Sequence, residues 1–257
     1  MSRSGYSWVV TAAAGAALLS GAWSTGLANG QGSSDAAFFH TGVGILVLAL
    51  AVAQAGLLWR KKLAARAWSS IAVGLLLADG ILGASAAPTA VLHACLAPFA
   101  FTALVMTAAI QKGKLSGGDP DSISLAARLR KAVLVTAALA ALQVVLGVLY
   151  RHKIWGILPH MGGALAVTLL ALVLCAMILQ RIPNKVPLRT AAMAVLSFVL
   201  TQVTLGIAAF VMRLLDADGT LLFNAVASLH VATGSLVLAS TAVLASRTQK
   251  IALGESQ

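Results

Sequence analysis

The sequence predicts an all-α polytopic membrane protein. Of its 257 residues 60% are hydrophobic and only 10% charged, and the apolar residues gather into eight long runs. A soluble domain carries about 25% charged residues, so the solvent of this chain is lipid. Backbone groups in a bilayer must pair internally, and long Ala/Leu/Val stretches with few strand signals select helices over a barrel.

A spanning helix needs about 20 mostly apolar residues, which places segments near 8–28, 36–59, 67–87, 88–111, 129–150, 155–180, 188–212 and 222–246. The first run also has the layout of a cleaved signal peptide, with Arg3 ahead of an apolar stretch ending in small residues. Its length, and the two-part organisation that its removal would break, favour a helix.

Charge gives the orientation. With the N-terminus inside, Arg3, Arg60, Lys61, Lys62, Arg66, Lys112, Lys114, Arg128, Arg130, Lys131, Arg181, Lys185, Arg189, Arg247 and Lys250 all fall on the inner side. Only Arg151, Lys153 and Arg213 fall outside, so the positive-inside rule puts both termini in the cytoplasm of a cell-membrane protein. This accounts for the net charge of +11 without a nucleic-acid partner, which would require basic residues on a solvated face with stacking aromatics. Cys95 and Cys175 lie inside apolar segments and suggest neither a loop disulfide nor a zinc site.

The polar stretch 112–127, with Gly117, Gly118 and Pro120, has linker composition. It divides the chain into two pseudo-symmetric four-helix halves, 1–111 and 128–257, joined by a cytoplasmic linker. Internal similarity supports a duplication: Gln143-Val-Val-Leu-Gly147 in segment five is echoed by Gln202-Val-Thr-Leu-Gly206 in segment seven, and more weakly by Asp79-Gly-Ile-Leu-Gly83 in segment three.

His40, His93, His160 and His230 lie on segments two, four, six and eight, each about five to nine residues in. At about 1.5 Å per residue this is roughly 6–13 Å below the outer boundary. Each half thus presents two imidazoles at similar depth, and two facing imidazoles are a recognised ligand pair for haem iron. One turn beyond each histidine stands a small residue, Gly44, Ala97, Ala164 or Gly234, giving clearance for a flat macrocycle. The competing readings are histidines as interhelical glue and zinc, whose sites usually add cysteine or carboxylate; no Glu occurs before Glu255. Haem propionates need cations near the aqueous boundary, and Arg151 and Arg213 are placed to meet them, with Lys153 a weaker choice and His152 a loop residue. Gln143, Gln202 and Asp79 lie near the histidine depth and could orient imidazoles, with interhelical hydrogen bonding the favoured reading for the glutamines. An acid inside a membrane is functional by default, which singles out Asp79; Gln54 is expected to be structural.

The layout resembles the heme A synthase family, whose two related four-helix halves oxidise a methyl group of haem O. The resemblance rests on Gln143-Val-Val-Leu-Gly147 followed by Arg151-His152, similar to the family's Gln-x-x-x-Gly-x-x-x-Arg stretch, and on the order and helix assignment of the four histidines. It implies that His160 and His230 hold a resident haem b in the second half. His40 and His93 would mark the site of the substrate, haem O or a related haem, in the first. It also implies a redox donor or haem-pathway protein as partner, with oligomerisation open.

The chain departs from the family in several places. The family's Glu-x-x-His-Arg on helix two reads Ala37-Phe38-Phe39-His40-Thr41, the outer-loop cysteine pair is missing, the first outer loop is reduced to about Asn29–Asp35, and Met161 stands where an Arg follows the helix-six histidine. Asp79 or Asp35 would then have to serve as the catalytic acid. Two functions follow: a haem-oxidising enzyme of this type, or a non-catalytic bis-histidine haem b protein for electron transfer, storage or delivery. A transporter without haem ranks last, since few intramembrane charges line a path.

Overall fold

The computed structural model describes residues 2–27, 33–60, 63–84, 89–112, 120–182 and 187–253. Among them run eight helices: α1 (Arg3–Leu27), α2 (Ser33–Leu58), α3 (Leu63–Gly83), α4 (Ala90–Lys112), α5 (Pro120–Arg151), α6 (Ile157–Arg181), α7 (Pro187–Leu214) and α8 (Leu221–Ala252). All eight are long and apolar enough to cross a membrane, and no strand occurs among the described residues. The protein is an all-α polytopic membrane protein. Its surface fits a lipid solvent: Phe38 (83% exposed), Leu158 (78%) and Ile45 (66%) point outward, an arrangement that water would penalise.

Several boundaries differ from the hydropathy reading. Helix α5 starts at Pro120, inside the stretch expected to be linker. Proline suits the first helical position, where its missing N–H is no loss, and Asp121 beside it complements the helix dipole. Hydropathy misses this start because the first turns carry Arg128, Arg130 and Lys131. The expected linker residues Lys114, Gly117 and Gly118 lie outside the described residues, as do Lys61, Lys62, Asn29, Lys185 and Glu255.

Helices α5 and α7 end in the same device. Lys153 (φ 58°) and Asp216 (φ 54°) adopt the left-handed conformation. Around them Ile154 N–H donates to the Leu149 carbonyl and Ala217 N–H to the Met212 carbonyl, both at 2.9 Å. These are Schellman closures, which satisfy carbonyls that a helix end otherwise leaves open. Helix α6 begins after Gly156 in extended conformation, and Pro159 sits in its first turn, where it costs no hydrogen bond.

The chain forms two compact units, one of residues 1–111 with 201–235, the other of 112–200 with 236–257. In the first, α1 packs on α2 and α2 on α3; in the second, α5 packs on α6. The first unit is pinned by a buried polar node. Ser7 Oγ donates to the Arg3 carbonyl (3.2 Å) and accepts from the amides of Gln54 (2.9 Å) and Gln111 (2.6 Å). A hydroxyl has one proton and two lone pairs, so Ser7 is saturated while tying α1 to α2 and α4. Gln54 is thereby a structural residue. Nearby, Tyr6 OH donates to the Leu50 carbonyl at 3.0 Å.

Replacing Ser7 by Ala strips the buried Gln54 amide of its acceptor and leaves the Gln111 amide with the Thr107 carbonyl alone, so Ser7→Ala is expected to destabilise the protein by about 1–3 kcal/mol. Denaturant unfolding in detergent measures this, with Ser4→Ala, whose half-buried side chain meets only the Ser2 hydroxyl at 3.4 Å, as the little-affected control.

Candidate functional site

The four even-numbered helices each dock a histidine against the helix before it, and a glycine makes every dock. An added β-carbon would stand 2.8 Å from His40 Cε1 at Gly21, 3.0 Å from His93 Cε1 at Gly83, 3.2 Å from His160 Cε1 at Gly147 and 2.9 Å from His230 Cε1 at Gly206. A methyl group at Gly21 or Gly206 would force the imidazole to shift, and one at Gly83 or Gly147 would press it by a few tenths of an ångström. Three of the glycines close the repeated motifs seen in the sequence, and the fourth reveals another copy, Ala17-Leu-Leu-Ser-Gly21. The residue four positions before each glycine shares its helix face, so that residue meets the imidazole too.

The contact residue differs between copies. His93 Nδ1 lies 3.0 Å from the Asp79 carbonyl and 2.9 Å from its carboxylate Oδ1. A carbonyl only accepts, so Nδ1 carries the proton, directed to the carbonyl with the carboxylate as a close charge. His40 Nδ1 lies 3.1 Å from Ser20 Oγ. The Ser20 hydroxyl also lies 2.9 Å from the Ala17 carbonyl; with its one proton directed there, Ser20 accepts and His40 carries its proton on Nδ1. Both rings therefore hold the Nε2 lone pair that a metal takes, in the arrangement by which a hydrogen bond at one nitrogen fixes ligation at the other. Their centroids are 5.9 Å apart with planes at 68°. A metal ion held here would take the Nε2 nitrogens of His40 and His93.

Gln143 and Gln202 both engage imidazoles. The Gln143 amide donates to His160 Nδ1 at 2.9 Å and to its carbonyl at 2.8 Å. An amide nitrogen only donates, so Nδ1 of His160 accepts. The Gln202 carbonyl accepts from His230 Nδ1, and the Gln202 amide donates to His230 Nε2, both at 3.2 Å. Tyr150 stacks on His160 at 6.0 Å with planes 10° apart. His160 belongs to the second unit, whereas His230 belongs to the first with His40 and His93.

The small residues beyond the histidines serve two ends. Gly44, like Gly42, faces open space, whereas a β-carbon at Gly234 would lie 3.1 Å from the Gln202 amide and one at Gly163 would overlap the Gln143 side chain. The clearance expected at Gly234 is thus filled by the amide that holds His230. Depth also differs from expectation: His93 and His160 are each the fourth residue of their helix, because α4 and α6 start later than hydropathy suggests, His40 is the eighth and His230 the tenth. Arg151 ends α5 half-buried, and the exposed Arg213 lies over the Phe223 ring at 5.7 Å. His152 follows the end of α5; burial and the adjoining Arg151 lower its pKa. Asp35 is exposed in the first turn of α2. Among the described residues no group of three His, Cys, Asp or Glu side chains is placed to hold a metal ion.

Sequence reasoning missed Ser20 and the docking role of Gly21, Gly83, Gly147, Gly206 and Gly163. The Gly-closed repeat was the available signal, obscured at Gly21 because its copy opens with alanine.

Gly21→Ala is expected to displace His40 and cost about 1–3 kcal/mol, whereas Gly42→Ala is neutral or slightly stabilising. Nitrogen-15 NMR of histidine-labelled protein reports the ring: His40 and His93 should show protonated Nδ1 and unprotonated Nε2, with Gly21→Ala moving the His40 signals alone. The chain matches no known family profile and no curated protein sequence.

Proposed function

We propose that this chain is an integral membrane haem protein in which His40 and His93 are the axial ligands of a haem iron. The proposal extends to an oxidoreductase of the heme A synthase type, acting on a methyl group of haem O in support of cytochrome oxidase assembly. The observation that carries it is the pair of imidazoles with centroids 5.9 Å apart, each anchored through Nδ1 by the preceding helix. Zinc would call for more donors than this pair offers. Bound haem would supply redox-active iron. The chain's part is to fix the two nitrogens, to shield the site from water, and to set ligand basicity through Asp79. Gly44 opens space beside His40, while Arg213, in the same unit, is the cation assigned to a propionate; Arg151 belongs to the other unit. His160 and His230 belong to different units and each is engaged by a glutamine amide, so the reading stands on the first pair.

In this reading Asp79 is a positioning residue and not a catalytic acid, since its carbonyl and carboxylate are both turned to His93. That observation favours a second reading, a non-catalytic bis-histidine haem b protein for electron transfer, storage or delivery, because neither Ala37 nor Thr41 supplies an acid beside His40. Both readings place the protein in the cell membrane with cytoplasmic termini and histidines toward the outer face. Both also require a redox or haem-pathway partner.

Purified protein is expected to show a Soret band that His40→Ala and His93→Ala each diminish; an unchanged spectrum in both variants refutes the assignment. Co-expression with a haem O source, followed by pigment extraction, separates the readings. Haem A appears only if the chain oxidises the methyl group, and bound haem without conversion selects the second reading. Asp79→Asn keeps the carbonyl anchor and loses the charge, so haem affinity should fall by about 10-fold or more with a shifted reduction potential, while the far-ultraviolet spectrum stays unchanged.

A further inference from the structure

We propose that the second unit binds the phosphate of an anionic phospholipid headgroup in a groove lined by Arg128, Arg130 and Lys131 of α5. Ala127 and Ala252, the latter ending α8, complete the lining, and the groove has a volume of about 450 Å³.

The three cations stand together on one helical turn without partners among the described residues. The Arg189 guanidinium donates to the carbonyls of Leu179 and Ile182, and Arg247 donates to the Pro187 carbonyl at 2.7 Å; these arginines are committed to helix ends. Arg128, Arg130 and Lys131 are exposed and make no hydrogen bond or ion pair with any described residue. Asp121 is the single acid among the described residues of this unit, about two turns before Arg128 on α5. Three like charges on one turn repel one another unless an anion joins them, and two planar guanidinium forks match phosphate oxygens.

Position identifies the anion as lipid. Helices α5 and α8 both run 32 residues, about 48 Å at 1.5 Å per residue, well beyond a hydrocarbon core of about 30 Å. Arg128 to Lys131 stand where the polar opening of α5 passes into its apolar run, which is the level of lipid phosphates. One turn further on, Leu134 (44% exposed) and Val135 (52%) continue outward, a path for acyl chains that a soluble anion would not use. Basic pockets between membrane helices at this level take headgroups by this chemistry.

The test titrates the intact chain, purified in a neutral detergent, with dioleoylphosphatidylglycerol or dioleoylphosphatidylcholine and counts retained lipid by native mass spectrometry. The glycerol lipid should be retained, the choline lipid not. The triple variant Arg128→Gln, Arg130→Gln, Lys131→Gln should lose roughly a hundredfold in affinity, and Lys131→Gln alone about fivefold. The charge-matched triple Arg60→Gln, Lys153→Gln, Arg181→Gln should stay within about twofold of the parent. Equal loss in the two triples, equal retention of the two lipids, or inorganic phosphate binding where the glycerol lipid does not, overturns the proposal. Because Lys131→Gln changes one exposed side chain, it decides the matter should the triple fail to fold.

Discussion

A polar group inside hydrocarbon has no water to turn to, and every buried imidazole of this protein is placed by that constraint. Leaving a buried donor or acceptor unpaired costs about 1–3 kcal/mol, so a histidine on a spanning helix must find its partner on a neighbouring one. Reaching that partner requires the two backbones to approach closely, and glycine on the facing helix permits it. The distances at Gly21, Gly83, Gly147 and Gly206 are this constraint met four times. The same logic operates at Ser7, whose single hydroxyl satisfies two amides from other helices. Interhelical contacts gain little from the hydrophobic effect when lipid is the alternative neighbour, so such polar docks and the close packing around small residues hold the helices in register.

The number and type of the helices were legible in composition and hydropathy because a bilayer imposes a length and forbids open backbone. Helix ends were less so. The start of α5 at Pro120 hides behind basic residues that a hydropathy window reads as loop, while later starts of α4 and α6 bring His93 and His160 closer to their helix ends than expected. The histidines were legible as a set, and so were Gln143 and Gln202 as polar groups near their depth, because amides are rare enough in apolar helices to be noticed. Ser20 was not. Its importance comes from spending its proton on the Ala17 carbonyl, a relation among three groups on two helices that no linear pattern carries. The grouping of 201–235 with the first 111 residues was equally hidden, since nothing in the sequence of α7 or α8 marks a break at those points.

The four docks share a backbone and differ in chemistry, and the difference lies at the position that opens each motif. Alanine at 17 leaves His40 to Ser20; aspartate at 79 gives His93 a carbonyl and a charge; glutamine at 143 and 202 meets His160 and His230 with an amide that donates. Through the proton inventory of each group, one substituted side chain changes which ring nitrogen keeps its lone pair. Where the partner accepts, as at His93 and, with the Ser20 proton on the Ala17 carbonyl, at His40, Nδ1 is protonated and Nε2 keeps its lone pair. Where the amide donates to Nδ1, as at His160, the proton moves to the other nitrogen. A repeated fold can in this way carry unequal sites without altering the helices that bear them.

This asymmetry bears on Asp79. An acid in a membrane helix invites a catalytic role, but a carboxylate 2.9 Å from an imidazole nitrogen is held by that ring. The energy needed to keep a charge in low dielectric is offset by proximity to a group able to share positive character. Moving Asp79 toward a substrate would forfeit that compensation and leave Nδ1 of His93 with the carbonyl alone. A ligand whose far nitrogen faces a carboxylate is a stronger electron donor than one facing a neutral hydroxyl. In the proposed site His93 and His40 would therefore be unequal ligands, with the acid acting through the histidine it orients.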